Sequence, residues 1–77
     1  MDIKEALGKK IKDRRVSLGL TQKVLSDGII SRNMLSLIES GRALPSLLVV
    51  LALADRLKIT PGYLLSDKES LFEILEK

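Results

Sequence analysis

The sequence predicts an all-α domain, a compact bundle of five to six short helices around one core. Three observations predict it. Apolar residues recur at helical spacing, and strand-type alternation is absent. The only prolines, Pro45 and Pro61, stand where helices open. Apolar stretches are preceded by an Asp, Ser or Thr able to accept from the first free backbone N–H groups.

The first helix is expected from about Asp2 to Leu18. Asp2 is its N-cap, Glu5 completes a capping-box pattern, and Ile3, Leu7, Ile11 and Leu18 form the apolar stripe. Gly19 ends it. Thr21 caps a short second helix from Gln22 to about Asp27, which Gly28 breaks. Ile29 and Ile30 are too apolar for a free loop, so that turn is expected to be packed. Ser31 caps a third helix, 32–40, with Leu35 and Ile38 inward and Gly41 at its close. Ser46 caps a fourth, running to Leu57 or Lys58. Thr60-Pro61 opens a helical turn through Leu65, and Ser66-x-x-Glu69 opens a final helix carrying Leu71, Ile74 and Leu75 on one side. The expected division is a domain over 1–65 and a C-terminal amphipathic helix over 66–77, packing back or dimerising.

The fourth helix is apolar nearly all round. Positions 47, 50, 51 and 54 are the expected core stripe, yet Leu48, Val49, Ala52 and Leu53 are apolar as well. Such a helix wants a second partner. The candidates are the last helix, through Leu71, Phe72 and Leu75, or a second subunit.

Composition excludes several functions. The chain has 77 residues, no cysteine and no histidine, so thiolate metal sites, disulfides and the usual general base are all missing. Tyr63 and Phe72 are its only aromatics, too few for the stacking surfaces that bind single strands. The longest purely apolar run, Leu47 to Ala54, is far short of the ~20 residues of a membrane span. No charged segment followed by an apolar one opens the sequence, so no signal peptide and a cytoplasmic location are expected. No membrane partner, catalysed reaction, cofactor, metal or small-molecule site is expected either.

The net charge of +3 is unevenly spread. Residues 1–45 hold nine Lys/Arg against five Asp/Glu, and the remainder four against five. The basic half is the side for a polyanion.

The stretch Thr21 to Gly41 is a short capped helix, a tight turn, a second capped helix and a glycine stop: a helix-turn-helix. In that arrangement the first helix crosses the DNA backbone and the second enters the major groove. On a helical wheel Leu35, Ile38 and Glu39 point inward. Asn33, Ser36, Leu37 and Ser40 point outward, with Arg32 at the N-terminal end. Arg32 and Asn33 are the residue types that contact guanine and adenine edges in bidentate fashion. Ser36 and Leu37 complete the expected base-contacting set, Leu37 through a thymine methyl. Arg15 follows Ile11 by four on the buried stripe, and Glu39 follows Leu35 by four. Neither should be buried alone, so they are expected to pair.

LGKKIKDRRVSLGLTQKVLS, SRNMLSLIESGRALPS and LALADRLKITPGYLL together resemble the phage-repressor, or XRE-type, helix-turn-helix family over about residues 3–65. The anchors are the arginine before Gly-Leu-Thr-Gln, the Ile-Glu-Ser-Gly exit, the Pro-Ser opening and the closing Tyr-Leu-Leu. The interval from Gln22 to Glu39 is one residue shorter than the usual pattern, similar to the peptide-sensing quorum regulators of Gram-positive bacteria. That shortening is expected to distort the turn near Gly28 to Ile30. Val24 stands where the family often has glutamate. The resemblance implies a lambda-repressor-like fold and the same Arg15–Glu39 pair. It also implies that Gln22 holds a phosphate. Ser40, Arg42, Ser46 and Arg14 are the further candidate phosphate contacts, with Lys10 a weaker one. The expected function is a sequence-specific, double-stranded DNA-binding transcriptional regulator of the repressor type, bound as a homodimer to a near-palindromic operator. The alternative is a protein-interaction module, antitoxin-like or regulatory, on the same fold.

Overall fold

A computed structural model describes residues 2–66. They form five helices and no strand: α1 (Ile3–Ser17), α2 (Gln22–Ser26), α3 (Arg32–Glu39), α4 (Leu47–Arg56) and α5 (Pro61–Leu64). The expected final helix lies, Ser66 apart, outside the described residues. Each helix starts on the capping residue read from the sequence, Asp2, Thr21, Ser31, Ser46 or Thr60, and each of these side chains accepts a backbone N–H from the first turn. At Asp2 the acceptor is Oδ1, 2.7 Å from Lys4 N, and no return bond from Asp2 N to Glu5 accompanies it. The capping box expected there is therefore only half made.

One core joins the helices. Leu7 and Ile11 of α1 meet Leu25, Leu35, Ile38, Val50, Leu53, Ala54, Leu57 and Leu64, all at most 1% exposed. Burying each of the larger side chains is worth ~1.5–3 kcal/mol. Ile29 and Ile30 pack against this core from the turn. Two expected stripes are corrected. Leu18 is the C-cap of α1 and stays 36% exposed, because the chain leaves the helix before it could point inward. In α4 the buried set is Val50, Leu53, Ala54 and Leu57, while Leu51 is 42% exposed and Leu47 only half-buried. A helix apolar on most sides leaves its rotation to be set by its neighbours, here α2 and α5.

The turn after α2 is a type II turn. Asp27 lies at φ −55°, ψ 123°, and Gly28 at φ +76°. Ile29 N donates to Ser26 O at 2.9 Å. The third residue of such a turn needs positive φ, which glycine adopts without strain. The close of α4 uses the same left-handed conformation without glycine. Lys58 sits at φ 58°, with Lys58 N donating to Asp55 O (3.2 Å) and Ile59 N to Ala54 O (3.1 Å). This is a Schellman motif. A side chain there costs roughly 1–2 kcal/mol, offset by the two satisfied carbonyls and by Ile59 packing on the core.

Helix α1 crosses the C-terminal end of α3 almost in backbone contact. A Cβ on Gly8 would lie 2.1 Å from Ile38 O and 3.0 Å from Glu39 O. One on Gly41 would lie 2.7 Å from Glu5 Cγ. Glycine inside a helix costs ~1 kcal/mol against alanine. At Gly8 that cost secures a close approach no larger residue permits. Gly8→Ala is therefore expected to destabilise the domain by roughly 3 kcal/mol, as overpacking against backbone does. Chemical denaturation checks this; a midpoint equal to wild type would refute the close contact.

Candidate nucleic-acid interface

The helix pair α2–α3 is held by a buried ionic network. Arg15 Nε donates to Glu39 Oε2 at 2.7 Å and Nη2 to Oε1 at 2.9 Å. The guanidinium thus grips the carboxylate with two parallel bonds, the strongest geometry such a pair has. Arg15 Nη1 donates to Leu20 O at 2.9 Å, in the link between α1 and α2. Gln22 Nε2 donates to the same Glu39 Oε1 at 3.1 Å. The Glu39 side chain is only 3% exposed and that of Arg15 13%. The hydrogen bond to Glu39 holds the Arg15 pKa above its ordinary range, against the opposing effect of burial.

With Leu35, Ile38 and Glu39 turned inward, the opposite face of α3 is open. Arg32, Asn33, Ser36 and Leu37 are all exposed there, and Arg42 follows just beyond the helix. Arg32, Asn33, Ser36 and Arg42 make no side-chain hydrogen bond among the described residues, so their donors are unspent. Met34, 42% exposed, was not singled out by the sequence reading. It stands one position before the buried Leu35, at the margin of the apolar stripe, where a wheel cannot decide.

The expected phosphate contacts divide. Ser46 Oγ accepts from Val49 N at 3.2 Å, which leaves its proton free to donate outward. Ser40 Oγ donates to Leu37 O at 3.0 Å, so it must rotate before it can serve an anion. Gln22 has one amide N–H committed to Glu39 and one left. Arg14 does not join the group. Its Nε donates to Leu57 O at 2.9 Å and its Nη2 reaches Lys58 O at 3.5 Å, so its charge closes the C-terminus of α4. Lys10 is likewise turned away: Nζ donates to Ser66 Oγ at 2.7 Å and stands 5.6 Å from the centre of the Tyr63 ring.

Arg56 was missed by sequence reasoning. Its Nη1 reaches the carbonyls of Val24 at 3.4 Å, Leu25 at 3.1 Å, and Asp27. It fastens the C-terminus of α2 to α4. The signal available was indirect: the five-residue α2 ends without a basic residue after Lys23 and needs a donor from elsewhere.

The chain belongs to the helix-turn-helix family, whose model matches residues 11–64. It is similar to the apo form of the competence regulator ComR from Streptococcus vestibularis. The TM-score is 0.80 and the identity 31%, over 84% of this chain and 22% of that one. It is also similar to Bacillus thuringiensis PlcR, solved in complex with the peptide PapR7 and DNA. There the TM-score is 0.76 and the identity 42%, over 78% of this chain and 21% of that one. The chain thus matches about a fifth of the length of each. No curated protein matches it. Among the described residues no helix is long and apolar enough to cross a membrane.

Removing the carboxylate of Glu39 leaves Arg15 buried without a counter-charge and Gln22 without an acceptor. Glu39→Ala is expected to cost ~3–5 kcal/mol, whereas Asp55→Ala, at an exposed acidic position, should stay within about 0.5 kcal/mol of wild type. Thermal melts of the two variants compare them directly. Equal shifts would mean that the pair contributes nothing.

Proposed function

We propose that this chain is the sequence-specific, double-stranded DNA-binding module of a transcriptional regulator, acting as a repressor by occupying an operator. The observation that carries the reading is the outer face of α3, where Arg32, Asn33, Ser36 and Leu37 stand exposed on the second helix of the motif. Placed in the major groove, Arg32 offers two donors to guanine O6 and N7, and Asn33 a donor and an acceptor to adenine. Leu37 meets a thymine methyl. Arg42, Ser46 and the remaining Gln22 N–H take phosphates and set the register, Ser40 joining them after its hydroxyl rotates. That PlcR has been solved with DNA supports the reading. The function requires no reaction and no cofactor.

The module works as a homodimer on a near-palindromic site. One recognition helix reads too few base pairs to define a site in a genome. Two copies ~34 Å apart on one face of the duplex double the readout. The exposed side of α4, with Leu48 78% and Leu51 42% exposed, is the contact surface this requires.

Selection from a random duplex pool yields the test ligand. Affinity for the selected duplex should fall at least about a hundredfold between ~50 and ~200 mM salt, as for about four neutralised phosphates. Arg32→Ala and Asn33→Ala should each relax preference at one base position by ~1–3 kcal/mol, while Arg42→Ala weakens all sequences alike. Single-strand binding of equal strength, or identical behaviour of both classes of variant, refutes the reading. For the dimer, Leu48→Glu should weaken binding to the full selected site and spare an isolated half-site; equal loss on both removes α4 as the contact.

A further inference from the structure

Glu39 lies on the buried side of α3 with its side chain 3% exposed, yet it contacts one residue of the proposed interface. Gln22 Nε2 approaches Glu39 Oε1 at 3.1 Å, and the same oxygen receives Arg15 Nη2 at 2.9 Å. The second carboxylate oxygen takes Arg15 Nε at 2.7 Å. Arg15 therefore holds both carboxylate oxygens, and one of them in turn faces the Gln22 amide.

A carboxylate only accepts. An amide has a donor end and an acceptor end of nearly the same shape, and in a neutral setting either can face a partner. Beside Glu39 the choice disappears. Facing the carbonyl oxygen of Gln22 toward Oε1 would oppose two acceptors, one of them charged. The nitrogen must face inward, and one of its two N–H groups is used there. The other N–H remains on the half-buried side chain of Gln22. DNA phosphate oxygens also only accept, so this N–H is the one group of the amide able to meet them.

We infer that Glu39 is a positioning residue for DNA binding: through its hydrogen bond to Gln22 it fixes the direction of that amide and presents the remaining N–H to a backbone phosphate. The inference rests on the DNA-binding reading above and adds a second duty to a residue otherwise structural.

The test is a double-mutant cycle on the selected duplex, at a temperature where circular dichroism shows every variant folded. Gln22→Ala should weaken binding about tenfold, the worth of one hydrogen bond to a charged partner. Glu39→Gln should also weaken it, by at most the same factor, because Gln22 loses the charged acceptor that anchors its side chain. The double variant should lose about tenfold and not a hundredfold, since nothing is left to position. Additive losses overturn the inference. Arg32→Ala serves as control. If it weakens binding while the cycle is additive, the DNA-binding reading stands and only the role of Glu39 falls. If no variant alters affinity, both fall.

A second measurement needs no variant and covers the case in which Glu39→Gln does not fold. In nitrogen-15 spectra of the wild-type protein, the two Gln22 amide protons should be well separated, one shifted by the carboxylate. Adding the selected duplex should move the other. Shifts like those of a freely rotating glutamine, unchanged on adding DNA, overturn the inference.

Discussion

The buried contact between Arg15 and Glu39 is the constraint on which the rest of the arrangement depends. It is formed by two parallel hydrogen bonds between charges that water scarcely reaches. Taking both ions out of water costs several kcal/mol each, and mutual attraction recovers that only when geometry is good and the remaining atoms find partners. Here they do: Arg15 also donates to Leu20 O, and Glu39 also accepts from Gln22. The result links the end of α1, the start of α2 and the end of α3. These directional bonds, with the packing of Leu35 and Ile38, tie the rotation of α3 to α1 and α2, and that rotation decides which side chains face outward.

The same economy governs the helix ends. Helices of four to fifteen residues leave a large share of their backbone groups without internal partners. The N-termini are served locally, by capping side chains from the same segment. The C-termini are served partly by left-handed residues at Gly19, Gly41 and Lys58 and partly by arginines from distant segments. Arg14 closes α4, and Arg56 closes α2. Both cations are thereby engaged by backbone carbonyls of the fold. Within the first 45 residues Arg14 is held by Leu57 O and Arg15 by Glu39, so the basic character of that stretch overstates what is free to meet a polyanion.

Free polar side chains gather around α3. Arg32 and Arg42 bracket α3, Asn33 and Ser36 lie between them, and Ser46 keeps its proton at the start of α4. Rigid supports lie beneath: Leu35 and Ile38 in the core and Glu39 in the ionic network. A recognition face carried on so short a helix depends on that support, because eight residues of α-helix are marginal in water without tertiary packing.

Much of this was legible in the sequence, for a physical reason. Helix starts are local, so Asp2, Thr21, Ser31, Ser46 and Thr60 announce them through their own hydrogen bonds. Periodicity is also local, so the inward and outward sides of α3 could be assigned from spacing alone, and the partnership of Arg15 with Glu39 followed from the cost of burying either charge without the other. The sequence could not decide what depends on distant atoms. Arg14 and Arg15 are neighbours of one residue type, yet one meets the carbonyls of α4 and the other a carboxylate of α3. The stripe of α4 was misplaced because nearly every position is apolar, and only the neighbouring helices select Leu53 over Leu51. The need for glycine at position 8 appears only once Ile38 O lies against it. Sequence alone determined the helices, their caps and the side chains available to each. Tertiary structure decided which of those side chains the fold consumes, because a hydrogen-bond donor satisfied by a distant carbonyl looks, in the sequence, the same as a free one.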